Sequence, residues 1–211
     1  DIEREVELGG DLHAKGMLIM IHFLKSTFSP FCPLNFSASL AVEQNYGEID
    51  GDSATLAQAC ALLSSLGQIA IYQGIAVTGS MNQMGDVQAV GGINEKIEGF
   101  FDLCQQQSAS VNHRPTADNL LIQDGMNSTD VIQGVIIPKA NITDLMLDDR
   151  VIHAVSTGQF VIHAVSHISE AMTLLTQMPY SNTNKKGNLS KPCLQGRIIK
   201  QLKQWQDDER G

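Results

Sequence analysis

The chain has 211 residues, 43% hydrophobic and 18% charged, the balance of a globular chain with room for one substantial domain. Its 14 Lys and Arg against 23 Asp and Glu give a formal net charge of -9, which argues against a nucleic-acid partner. No apolar run is long enough to cross a bilayer, no secretory signal opens the charged first residues, and the four cysteines fit no C-x-x-C pair or zinc spacing, so a reducing, cytoplasmic compartment is expected.

Val6 to Gly10 ends a first extended segment at a Gly-Gly pair. The start at Asp1, without Met, reads as a piece of a longer chain. Met17–Leu24 is a nearly unbroken apolar run of strand length and predicts a buried strand. Two prolines and Cys32 make Ser26–Pro33 a loop. Over Leu34–Val42, Leu34, Phe36, Ala38, Leu40 and Val42 alternate with polar residues, the signature of a half-buried strand. An acidic turn, Gly47–Asp52, follows. Ser53–Leu66 is apolar nearly all round and lacks proline and glycine, which predicts a buried helix opened by Ser53 and stopped by Gly67.

Ile69–Val77 predicts another strand, leading into Thr78-Gly79-Ser80-Met81. Asp86–Val90 is short and extended. Gly91-Gly92 then hands over to a helix from Ile93 to about Gln106, with Ile93, Ile97, Phe100, Phe101 and Cys104 at helical spacing. Residues 105–130 lose that pattern and read as an exposed loop. Gly134–Ile137 predicts a buried strand stopped by Pro138, Thr143–Leu147 a short helix, and Asp148-Asp149 a cap for the next one. The hexapeptide VIHAVS occurs twice, at Val151–Ser156 and Val161–Ser166. The first copy follows the acidic cap and reads as helix. The second precedes the helical pattern Ile168, Ala171, Met172, Leu175 and reads as strand. Met178–Pro192 is polar and linker-like. Leu194, Ile198, Ile199, Leu202 and Trp205 form the stripe of a short C-terminal helix, expected to dock on its own domain. Strands alternating with helices make the class mixed α/β.

Ser53 follows Asp52 at the start of a buried helix. Free N–H groups at a helix start stabilise a developing oxyanion, but a serine nucleophile also needs a base. Gly51 and Thr55 flank it differently from a G-x-S-x-G elbow. None of the six histidines is singled out as its partner. His163 and His167 are four apart, but on strand and turn, so no metal pair is expected. Lys96 stands in the first turn of the helix after Gly91-Gly92, where the dipole disfavours a cation, beside Ile93 and Phe100. Desolvation and a helix start both favour the neutral amine that a general base requires. Periodicity leaves two pairs of alternatives open: Ser53 as cap or nucleophile, Lys96 as snorkelling side chain or base.

The ordered segments GDSA at 51–54, VTGSM at 77–81 and VGGINEKIEGF at 90–100 resemble the proteolytic domain of the Lon protease family, most of all its LonB-like bacterial and archaeal branch. The 43-residue separation of Ser53 and Lys96 matches, as do GGDLHAKG at 9–16, LNFSASLAVEQNYG at 34–47 and GVIIPKAN at 134–141. The resemblance implies a proteolytic domain over residues 1–178 with an insertion at about 108–130, and a linker and short helix over 179–211. It implies the Lon proteolytic fold, an α/β (α+β) arrangement of mixed sheets with flanking helices. It implies an ATP-dependent serine endopeptidase acting on unfolded or damaged polypeptides, in which Ser53 is the nucleophile and Lys96 the base. Thr78 would position the lysine, and Asp52 would help order the site. Asp50 stands where relatives often carry Glu, and its shorter side chain puts any contact there in doubt. No metal or cofactor is expected in this chain. ATP and Mg would belong to an AAA+ ATPase module, in the same longer chain or a partner, because no G-x-x-x-x-G-K-[ST] occurs here. A homo-hexameric ring is implied as well. The alternative is a catalytically silent Lon-like module that serves as an oligomerisation or substrate-holding scaffold.

Overall fold

A computed structural model describes residues 9–42, 47–111, 132–181 and 192–208. Helix α1 spans Asp11–Phe28, where the apolar run alone predicts a strand. Its buried residues His13, Gly16, Met17, Met20, Phe23, Leu24 and Phe28 recur every three or four positions, which is helical. The run looks continuous only because Leu18 and Ile21, on the exposed side, are also apolar. Pro33–Val42 keeps its alternation, with Leu34, Phe36 and Leu40 half-buried, but forms no ladder among the described residues and is not a strand.

Helix α2 covers Thr55–Gly67. Gly67 does not end it. Gln68 does, in a left-handed conformation at φ 49°, while Gly67 stays helical to let Leu194 approach. The strand expected over Ile69–Val77 shrinks to β1, Ile75–Val77, because Tyr72 donates its N–H to Leu175 and the chain turns at Gln73-Gly74. A two-stranded antiparallel hairpin, β2 (Ser80–Met81) with β3 (Val87–Gln88), leads to α3, Ile93–Val111. The loop expected from residue 105 therefore begins as helix. The rest of it, with most of the expected insertion, lies outside the described residues.

Strand β4, Gln133–Pro138, enters the centre of a parallel sheet of order β1-β4-β5. A 3-10 turn at Lys139–Asp144, η1, replaces the short helix expected at Thr143–Leu147. Helix α4 (Asp149–Ser156) contains the first hexapeptide copy and strand β5 (Phe160–Val165) all but Ser166 of the second, so the identical segments do fold differently. Asp148 caps α4, accepting from the Arg150 N–H at 2.9 Å. Helices α5 (Ile168–Thr176) and α6 (Leu194–Asp208) complete the chain.

The sheet divides two cores, and β4 shows why. Val135 and Ile137 face Ile93, Ile97 and Phe101 of α3 with Val151 and Ala154 of α4. Ile136, pointing the other way, joins α1, α2, α5 and α6. Side chains alternate along a strand, so β4 is apolar on both faces and reads as a continuous run. Helices on both sides of a parallel sheet make the class α/β. Buried Leu194, Ile198, Ile199 and Leu202 dock α6 on its own domain. Among the described residues no helix is long and apolar enough to cross a membrane, and no group of three acidic, His or Cys side chains could hold a metal ion.

Candidate active site

Three short segments meet where β1 ends. Val77 leaves the sheet into Thr78-Gly79, and the Thr78 N–H still donates to Ile136 of β4 at 3.0 Å. The Gly79 N–H donates to the Ser53 carbonyl at 2.9 Å, and the Leu56 N–H returns a bond to the Gly79 carbonyl at 3.0 Å. The Thr78 hydroxyl adds a longer bond to the same Ser53 carbonyl, 3.4 Å. Thus the Thr78-Gly79 corner holds the turn before α2 by backbone contacts from both directions.

Ser53 is not the residue that caps α2. The helix begins at Thr55, with Ala54 at its boundary and no side-chain cap. Ser53 sits in the preceding turn, half-buried, and its hydroxyl makes no hydrogen bond among the described residues. A capping hydroxyl would be occupied by an N–H, whereas this one is left available. Its carbonyl, taken by Gly79 and Thr78, is withdrawn from the helical ladder, whose first bond runs from Gln58 N–H to the Ala54 carbonyl.

Lys96 reaches the same place from α3. Its N–H bonds the Gly92 carbonyl at 3.1 Å, fixing it in the first turn. Ser53, Thr78, Lys96 and Glu95 line one cavity of about 430 Å³, walled otherwise mainly by apolar residues such as Val77, Phe100, Leu103 and Val135, and Glu95 makes no ion pair with Lys96 among the described residues. Lys96 itself is exposed, so Ile93 and Phe100 do not enclose it as its sequence neighbours suggest. No hydrogen bond joins it to Ser53 among the described residues.

The two aspartates are not in the cavity wall. Asp52 turns to β2, where one carboxylate oxygen accepts from the Ser80 hydroxyl at 2.7 Å. Asp50 is exposed and, among the described residues, accepts from the Gly51 N–H, 2.8 Å away, beside Gly10. The structure therefore groups three of the five residues singled out from sequence and leaves Asp50 and Asp52 out of the cavity wall.

Two residues that sequence reasoning missed bind the segments together. Ser80 is 2% exposed and is the partner of Asp52. Asn141, also 2% exposed, accepts from the Val90 N–H and donates to the Val90 carbonyl, both at 3.0 Å, and donates to Asp144. That reciprocal pair pins the chain just before Gly91-Gly92, and Asn94 pins the far end of η1 through Asp144 and Met146. A polar residue following a buried strand and a proline was the available signal for Asn141. Ser80 offered none beyond its place after Thr78-Gly79.

The four cysteines are buried thiols outside this cavity. Burial pushes the Cys60 thiol up to about 12, so it stays protonated and acts as a core side chain.

A family model described as the Lon protease (S16) C-terminal proteolytic domain matches residues 43–100. The chain is 46% identical over 178 residues to a Lon protease homologue of Escherichia coli, aligning 84% of this chain with 27% of that protein. It is 40% identical over 210 residues to a Lon protease homologue of Haemophilus influenzae, aligning 100% of this chain with 32% of that protein. An archaeal Lon protease of Halobacterium salinarum is 33% identical over 132 residues, 62% of this chain and 14% of that protein. The chain thus spans a third or less of the length of these relatives.

Proposed function

The chain belongs to the Lon protease (S16) proteolytic-domain family, and we propose that it is the serine-peptidase part of a longer ATP-dependent protease that cleaves unfolded polypeptide. The observation that carries this reading is the meeting of Ser53, Thr78 and Lys96, brought from three segments, at one cavity with a mostly apolar wall. In the proposed reaction the neutral Lys96 amine takes the Ser53 hydroxyl proton as Oγ attacks the peptide carbonyl. Backbone N–H groups of the Ser53-Ala54 turn, at the start of α2, meet the oxyanion. Lys96 then gives its proton to the leaving amine, and a water activated by the same amine releases the acyl group. Phe100, Leu103 and Val135 would seat an apolar side chain beside the scissile bond.

Exposure of Lys96 in a single chain fits a site completed by assembly, since a neighbouring subunit in the proposed hexameric ring would exclude water from it. ATP would act through an AAA+ module outside this sequence. A second reading, a catalytically silent scaffold, draws on that same exposure and on the lack of a bond between Ser53 and Lys96.

In the full-length protein, Ser53→Ala and Lys96→Ala should each lower peptide hydrolysis by at least ~10³-fold without changing the melting temperature by more than a degree or so. Lys96→Arg should be as inactive, because a guanidinium keeps its proton. Hydrolysis that survives Ser53→Ala, once contaminating proteases are excluded, sinks the peptidase reading. Labelling of Ser53 by a serine-directed probe in the wild type, lost in Lys96→Ala, separates it from the scaffold.

A further inference from the structure

The Ser80–Asp52 pair joins the hairpin to the turn that carries Ser53. Ser80 opens β2 and is 2% exposed; its neighbour Met81 is fully buried in the larger core, so the strand cannot shift without disturbing that core. Its hydroxyl donates to Asp52 Oδ2 at 2.7 Å, a short bond to a charged acceptor. On the other side of Asp52, α1 comes close: a Cβ at Gly16 would run into the Thr55 hydroxyl and stand 3.5 Å from Asp52 Cβ. The carboxylate is therefore tied to β2, with α1 packed close to the Asp52 Cβ. It takes no part in the cavity that Ser53 and Lys96 line.

The placement has a chemical reason. A free carboxylate one residue from Ser53, beside a cavity lined by a lysine, would be drawn to that charge. An ammonium held by a carboxylate is not a base. Building on the peptidase reading above, we propose that Ser80 is a positioning residue that keeps the Asp52 carboxylate on the β2 side and so holds Ser53 presented to a lysine free to accept a proton. Ser80 does not touch substrate. It acts through Asp52.

A hydroxyl that merely satisfied a buried strand would affect stability when removed, but its effect on turnover would not depend on Asp52. The test uses the full-length protein with a fluorogenic peptide, measuring kcat, KM and melting temperature for Ser80→Ala, Ser80→Thr, Asp52→Asn and the Ser80→Ala/Asp52→Asn pair. Losing a bond to a charged group predicts that Ser80→Ala lowers kcat about tenfold or more, with KM changed less than about twofold. Ser80→Thr, which keeps the hydroxyl, should retain most of kcat. In the Asp52→Asn background, Ser80→Ala should cost no further kcat, the coupling expected when one residue acts through the other.

The inference is overturned if Ser80→Ala keeps wild-type kcat while lowering only the melting temperature. It is equally overturned if the two substitutions multiply, or if Ser80→Thr is as slow as Ser80→Ala at unchanged melting temperature. Ser53→Ala, run alongside, keeps the two readings apart: if it is inactive and Ser80→Ala is not, only the positioning role falls.

Discussion

Burial in β5 lowers the pKa of His163 below its ordinary value of 6.5. The unfolded chain then binds more protons than the folded one just below pH 6.5. The contribution of His163 to stability is thus fully present above that pH and is lost as the pH falls through the folded value. The urea midpoint of His163→Gln should fall less between pH 7 and pH 5 than that of the wild type; equal falls would contradict this. Elsewhere at the residue scale, sequence and structure agree in part. Periodicity leaves Ser53 and Lys96 open between ordinary and catalytic roles, and the ordered segments at 51–54, 77–81 and 90–100 single them out. Ser80 and Asn141 could not be singled out, because their partners Asp52 and Val90 lie 28 and 51 residues away. Local pattern marks Asn141 at most as a polar residue after a buried strand and a proline, and does not identify either partner. Lys96 is exposed although Ile93 and Phe100 flank it in sequence, because Ile93 packs into the smaller core and Phe100 lines the cavity wall.

Among the elements, β4 was the most legible. Buried on both faces, it forms a short apolar run bounded by Gly134 and Pro138. The run Met17–Leu24 of α1 reads as strand because Leu18 and Ile21 on its exposed side are apolar, which erases the amphipathic period that distinguishes helix from strand. The central place of β4 also sets a limit on its composition. At Gly134, a Cβ would collide with the Val161 carbonyl and side chain of the paired strand. Gly134→Ala should therefore destabilise the protein by roughly 1–3 kcal/mol, as overpacking in a filled site does. A thermal melt that matches the wild type would show that the strands can part without cost. Because Thr78 donates its N–H to Ile136 of the same strand, this substitution should also slow peptide hydrolysis measured well below the melting temperature.

For the whole molecule, the linker-like stretch before α6 hides a structural dependence. Residues 182–191 lie outside the described residues, yet α6 is no appendage: Leu194 is fully buried and packs at Gly67, and Arg197 donates to the Gln68 carbonyl at 3.3 Å. The helix that begins just after Ser53 thus ends against the last helix of the chain. Leu194→Ala should cost about 2–5 kcal/mol, the range for emptying such a site, and should lower the melting temperature of the full-length protein by several degrees. An unchanged melt would mean that α6 is docked without contributing. Sequence showed the stripe of α6, while its partner helix, apolar on nearly every side, offered no single face to match it with.

The repeated hexapeptide has a use in hydrogen-exchange work. The intrinsic exchange rate of an amide depends on its own side chain and the one before it. Residues 152–155 of α4 and 162–165 of β5 share both, position by position. Their unprotected amides must therefore exchange at matched rates under any condition. Whatever ratio is measured between the two sets reports only the opening of α4 against that of β5, so the protein carries its own reference for comparing the stability of a helix with that of a strand.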